Sequence, residues 1–221
     1  MNRTLALCVP RPRTVALTAV AGSLALLALA PLPVAARQGQ ASVVEAAAST
    51  PAAVSGRGGV VRPVDAVTAL LVERLLVADV VAAAKYGTVL PIEDPVRERQ
   101  VLEDVTRRAA AMGLDPVHAA AVFRDQMEAG KKVQRALFAR WDAHPEERPS
   151  GRPDLTREVR PVLDRITTRL LDALKASQRE RAAASCPFSV SVSAAGQAYA
   201  RELDRLHTVS LLRGLRSVCT G

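Results

Sequence analysis

Four cations, Arg74, Lys85, Arg97 and Arg99, crowd into the stretch from Glu73 to Leu102, and the first two interrupt a segment that otherwise reads as core. Leu70 to Tyr86 is apolar almost all round, broken only by Glu73, Arg74, Asp79 and Lys85, and so predicts a helix buried on several sides. Arg74 and Lys85 lie eleven residues apart, about three turns, which aligns them with Ala78 and Val81 on one stripe. Burying two like charges without a counter-ion is costly. Glu73 faces elsewhere and Asp79 lies well round the helix from Lys85, so a bound anion is the simpler partner; the alternative is that both side chains lie at helix edges and reach into water. The chemistry on offer is recognition of an anion.

The elements that must carry these side chains are marked by proline and acid pairs. A first helix runs from Val64 to Tyr86 and ends at Gly87. Asp94-Pro95 is an N-cap acid followed by proline at the first helical position, and it opens a second helix, Val96 to Met112. Arg97 falls in the first turn, where the helix dipole disfavours a cation, which suggests another partner; Glu98 and Arg99 follow it. Asp115-Pro116 repeats the signal for a third helix, Val117 to about Trp141, with Val122, Phe123, Met127, Val133, Leu137 and Phe138 as its apolar side. Within it Gly130 suggests close approach by a ligand or a neighbouring helix, and Gln134 read alone is an exposed polar residue. After a proline-rich connector, Asp142 to Asp154, a fourth helix spans Leu155 to Arg181, with Arg160 beside a Pro161 that is tolerable only near the first turn or as a kink. A last helix covers Ser193 to Leu215, and the alternation Phe188 to Val192 reads as turn. The prediction is an all-α single helical-bundle domain of about five to six helices over residues 63–221.

Residues 1–36 read as an export signal: Arg3, Arg11 and Arg13, then a mostly apolar run, then the small residues Val34-Ala35-Ala36. It carries three cations and no anion, so its removal takes the net charge from +8 to +5. Residues 37–62, rich in Ala, Ser and Gly, read as a flexible leader. The remaining basic excess has no dense Lys/Arg block, and aromatic residues are only 3% of the chain, which argues against nucleic acid as a partner. Cys8 lies inside the signal, leaving Cys186 and Cys219 as an even pair in an exported chain, and hence a disulfide. In the chain-entropy picture a loop of that length contributes about 3–4 kcal/mol. His118, His144 and His207 are scattered without metal-ligand spacing, and His118 and His207 read as helix-surface residues.

Three motifs, ERLLVADVVAAAKY, LPIEDPVRER and LDPVHAAAVFRDQMEAGKKVQ, occur in that order, and together they resemble the helical chorismate mutases, specifically their exported subclass. The paired Cys186 and Cys219 resemble that subclass's C-terminal disulfide. The resemblance implies a type II-like mutase that isomerises chorismate to prephenate by a pericyclic rearrangement, with no cofactor, no metal and no membrane contact of the mature form, and with a homodimer as its assembly. Such a reaction needs no nucleophile, only a clamp on the reactive conformer of a flexible dicarboxylate and donors for the breaking ether oxygen. On this pattern Arg74 binds a carboxylate, Lys85 donates to the ether oxygen and a carboxylate, and Arg97 is the arginine after the IED turn. Gln134 stands beside the ether oxygen, and Glu98 resembles the acid that binds the substrate hydroxyl in intracellular members. A further arginine comes from the C-terminal half, with Arg160 the best match and Arg157 and Arg165 its competitors. Gly130 replaces the usual Ser or Thr and Val101 a Gln, departures that bear on substrate affinity. The alternative, from another class, is a non-catalytic secreted binding module that retains the fold.

Gln134 carries a testable consequence. An amide donates a hydrogen bond at every pH, whereas a glutamate there donates only when protonated. Turnover is therefore expected to hold between mildly acidic and neutral pH, and Gln134→Glu to impose a collapse toward neutral pH; an unchanged profile in the mutant counts against the assigned role.

Overall fold

The computed structural model describes residues 62–220. The expected signal, Cys8 and all of the leader except Arg62 lie outside the described residues. The described chain is all-α: α1 (Pro63–Lys85), α2 (Pro95–Ala111), α3 (Pro116–Ala143), α4 (Arg160–Ala176), the single turn α5 (Gln178–Arg181), α6 (Cys186–Ala200) and α7 (Arg205–Gly214). Helices α2 and α3 begin where the prolines and acids predict, and α1 begins at Pro63, one residue before the expected Val64. Asp94 accepts from the backbone N–H of Arg97 at 3.0 Å, and Asp115 from those of Val117 and His118. The connector Gly87, at φ 67°, sits in the left-handed region that glycine adopts without strain.

Helix α1 is central. It packs against α3, α4, α6 and α7, and its consecutive Leu70, Leu71 and Val72 are all buried, as an all-round apolar sequence requires. Phe123 and Val122 of α3, Val105 of α2 and Leu170, Leu171 and Leu174 of α4 close one side of the core, while Ala194 of α6 and Leu211 of α7 close another.

The C-terminal half is divided more finely than its periodicity predicts. A π-type turn, Leu155–Val159, precedes α4, with Val159 N–H bonded to Asp154 O at 3.2 Å; the wide turn is what lets Pro161 enter the helix start without a hydrogen. The expected Leu155–Arg181 helix then breaks at Ser177, whose hydroxyl turns back to Ala173 O at 2.7 Å. Phe188 to Val192 is not turn but helix: within α6 Val190 is buried while Phe188 and Val192 face out, so the apparent alternation is one helical face. The expected Ser193–Leu215 helix is two helices, separated at Glu202, a non-glycine residue at φ 50°, and restarted by Asp204, which caps His207 N–H at 2.8 Å. Cys186 and Cys219 form the disulfide, joining the start of α6 to the segment after α7.

His207 is not a surface residue, and His118 is half-buried. His118 Nε2 accepts from Arg181 Nη1 at 2.6 Å, and the neighbouring burial and cation hold its pKa below the ordinary value. His207 is buried between Asp79, 2.9 Å from Nε2, and Asp204, 2.7 Å from Nδ1. The Asp79 bond, opposed by burial and reinforced by Asp204, raises its pKa from 6.5 to about 9. Because the folded-state value is the higher one, this contribution is complete below the unfolded value near 6.5 and is lost as pH rises through about 9. Both carboxylates are partly exposed, so solvent reduces the effect to about 1–2 kcal/mol. His207→Gln is expected to cost that much in urea unfolding at mildly acidic pH and to flatten the decline of stability on the alkaline side; an identical alkaline decline in the mutant would assign it to other groups.

Candidate active site

The register of α1 on α3 decides which side chains can meet. Arg74 Cζ lies 5.5 Å from the Phe123 ring centroid, a Cβ on Gly130 would sit 3.7 Å from Ala78 Cβ, and Tyr86 packs edge-on against Phe138 and Trp141 at 5.2 and 5.1 Å. The two helices therefore run parallel, with Ala78 and Gly130 at the crossing and Gln134 one turn further along α3, toward the Lys85 end of α1. Helix α4 runs the other way along α1: Arg169 pairs with Glu73 at 3.0 Å and Glu180 of α5 accepts from Val64 N–H at 2.9 Å, which brings the start of α4 to the Lys85 end.

Arg74 is anchored by its ring contact, and its Nη1 is buried with no hydrogen-bond partner among the described residues. Burial lowers its pKa to about 10, partly opposed by the Asp164 carboxylate. A buried donor left unanswered costs about 1–3 kcal/mol, a cost that an arriving carboxylate would remove. Lys85 is half-buried, and Nζ donates to Pro91 O at 2.8 Å and Ile92 O at 3.3 Å, carbonyls of the loop that folds back after Gly87. Burial lowers its pKa, the charges of Asp94, Glu93 and Glu98 oppose that, and the charge of Arg160 adds to the lowering.

The three candidate arginines are all exposed at or near the start of α4. Arg160, exposed at the head of α4 with Nη1 3.4 Å from Thr156 Oγ1, has its charge within reach of Lys85. Arg157 is exposed and leans on Asp154 at 4.0 Å, and Arg165 is exposed further along α4.

Gln134 is buried, not exposed: the face of α3 that carries it is covered by α1. Its Nε2 donates one N–H to Gly130 O at 3.2 Å and keeps a second, while Oε1 is buried without a partner among the described residues. The neighbour that Gly130 approaches is Ala78, at an ordinary van der Waals distance, so packing does not demand a glycine there. Glu98 faces α3, where both its oxygens meet Lys131 Nζ, at 3.0 and 3.2 Å. Arg97 is not drawn to the others; its Nη1 stays on its own helix, 3.5 Å from Gln100 Oε1. The residues that periodicity overlooked are Phe123, which reads as plain core, and Lys131 and Asp164, whose partners are distant in sequence.

Two hollows lie away from this constellation. One of about 280 Å³ is lined by Leu114, His118, Leu174 and Arg181 at the opposite end of α3, and one of about 540 Å³ by Tyr199 and Leu203 at the α6–α7 corner. Size alone does not mark a site here, because neither hollow combines an unanswered cation with polar donors of the kind that Arg74, Lys85 and Gln134 offer.

Residues 65–135, which hold the three motifs, match the chorismate mutase type II family. The secreted chorismate mutase of Mycobacterium tuberculosis is 32% identical over 147 residues, 66% of this chain and 73% of that protein. The chain belongs to the chorismate mutase family. The secreted chorismate mutase of Mycolicibacterium smegmatis is 38% identical over 102 residues, a match that covers 46% of this chain and 56% of that relative. Among solved structures, the chorismate mutase of Burkholderia thailandensis superposes with a TM-score of 0.68 at 39% identity, over 71% of this chain and 99% of that one. That of Burkholderia phymatum gives 0.67 at 32% identity, over 72% and 99%. Family membership extends to the C-terminal helices, since the structural match runs well beyond residue 135.

Proposed function

We propose that the protein isomerises chorismate to prephenate, and that Arg74, Lys85, Arg97, Glu98, Gly130, Gln134 and Arg160 form the substrate site. The observation that carries this reading is the buried, unanswered Nη1 of Arg74 on the same helical stripe as Lys85, in a chain of this family. A pericyclic rearrangement makes and breaks its bonds in one step, so the residues' work is to bind and orient. Arg74 and Arg160, at the two sides of α1's stripe, receive the two carboxylates. Lys85 Nζ and the free Nε2–H of Gln134 donate to the ether oxygen as its charge grows, which stabilises the transition state more than the ground state. Lys85 must then exchange its loop carbonyls, or share them, for the substrate. Gly130 offers no hydroxyl, and its backbone carbonyl instead fixes the Gln134 amide.

The wider assignments follow the same line. Residues 1–36 act as a cleaved export signal ahead of a leader and a helical domain from residue 63, which agrees with the chain's likeness to secreted chorismate mutases. The mature protein works outside the cytoplasm, in the periplasm or beyond, as a homodimer. An exposed apolar row on α6, Phe188, Val192 and Tyr199, supports pairing of two copies. The mass of the exported chain and its sedimentation test both: an intact N-terminus or a micromolar monomer would remove the corresponding assignment.

Loss of chorismate absorbance tests the reaction. Wild-type protein from residue 37 onward, kept oxidised, is expected to turn over chorismate rapidly. Lys85→Ala is expected to lower kcat/KM by about a thousandfold with the fold intact, as for removal of one oxyanion-type donor. A folded wild type without turnover would leave the binding-module alternative.

A further inference from the structure

A site for a dicarboxylate should be free of uncancelled negative charge, yet three acids act on Lys85: Asp94, Glu93 and Glu98. Each has its own answer. Glu93 pairs with Arg135, and Asp94 accepts the Arg97 backbone N–H at 3.0 Å as the cap of α2. Glu98 is answered by Lys131, one turn before Gln134 on α3, whose side chain is only 12% exposed. That ammonium lies close to three carboxylate oxygens: Glu98 Oε1 at 3.2 Å, Glu98 Oε2 at 3.0 Å and Glu128 Oε1 at 2.5 Å. Glu128 is approached in turn by Arg213 Nη2 of α7 at 3.8 Å.

The lone pairs of Glu98 can be counted. A carboxylate has about four acceptor positions. Oε1 uses two, on Lys131 and on the Asp94 backbone N–H at 3.4 Å, and Oε2 uses one, on Lys131. One acceptor position on Oε2 is left.

We infer that Lys131 is the positioning residue for Glu98: it cancels the charge that would repel a dianion beside Lys85 and turns the carboxylate so that its remaining acceptor position meets the hydroxyl of the substrate. This rests on the mutase reading and deepens it. Burial disfavours the ammonium, but the bonds to Glu128 and Glu98 outweigh it and raise the Lys131 pKa, so the cation persists throughout the working range. The effect belongs to binding. Ground and transition states carry the same two carboxylates and the same hydroxyl, so losing Lys131 weakens both alike.

The test is steady-state kinetics on the oxidised full domain with chorismate, comparing wild type, Lys131→Met, Lys131→Arg, Glu98→Gln and the double variant Lys131→Met with Glu98→Gln. Lys131→Met is expected to raise KM about tenfold with kcat within about twofold, the signature of lost uniform binding. Lys131→Arg is expected to restore KM to within about threefold, because a guanidinium also forks onto a carboxylate. In the Glu98→Gln background, where residue 98 carries no charge to cancel, the KM penalty of Lys131→Met should fall to about twofold, a non-additivity that packing damage would not produce. An unchanged KM in Lys131→Met, or an undiminished penalty in the double variant, overturns the inference while leaving the mutase reading intact. A folded wild type without turnover overturns the mutase reading and this inference with it.

Discussion

A guanidinium held inside the bundle with one donor unanswered is the constraint around which the N-terminal half is built. Arg74 projects from a helix covered on most sides and is partly exposed as a whole residue, while its Nη1 is closed off from solvent. The Phe123 face below it and Asp164 at a distance offset part of the burial cost, and neither satisfies Nη1. An ion pair with a protein acid would have been the stabilising solution. Its absence among the described residues leaves a donor whose orientation is fixed by packing before any ligand arrives, which is the pre-organisation that electrostatic catalysis needs.

The same reasoning explains the loop between α1 and α2. Gly87 turns the chain back so that Pro91 O and Ile92 O cover Lys85 Nζ, and Asp94 ends the loop by capping α2. Capping disposes of one carboxylate near Lys85, and Arg135 and Lys131 dispose of two more. What remains at that end of the stripe is net positive, with Arg160 arriving from α4. Such a field attracts a small dianion without any dense basic block in the sequence.

Helix existence and starts in the first half were readable because proline and acid act locally: Asp94-Pro95 and Asp115-Pro116 specify a helix start whatever packs against it. The C-terminal breaks were not, since Ser177 and Glu202 interrupt otherwise continuous apolar periods through hydrogen bonding and backbone conformation that a period does not encode. The spacing of Arg74 and Lys85 put them on one helical stripe but left water and an anion as rival partners, and their roles, like the preference for Arg160 over Arg157 and Arg165, came from the resemblance. Gln134 and His207 read as surface residues because a polar side chain within a helical period is usually exposed; each is buried because a second helix closes over it. Glu98 and Lys131 are 33 residues apart and meet only through the packing of α2 on α3.

Helix α1 also carries two acids within its buried stretch, and their commitments complete the account of its cations. Glu73 is taken by Arg169 of α4, and Asp79 by His207 of α7, itself held by Asp204. The cation on α7 is an imidazolium, charged because two carboxylates hold it so. Each of these two acids of α1 is thus paired from a face that α4 or α7 covers, while Asp65, at the helix start, pairs with Arg62. Asp79 lies five residues from Arg74 and six from Lys85, well round the helix from both, so neither cation has it as an i,i+3 or i,i+4 neighbour. The stripe of Arg74, Ala78, Val81 and Lys85 therefore contains no acid of its own, and Asp79 meets His207 on another face. The C-terminal helices thus take up the two acids of α1's buried stretch on faces other than the one that carries Arg74 and Lys85.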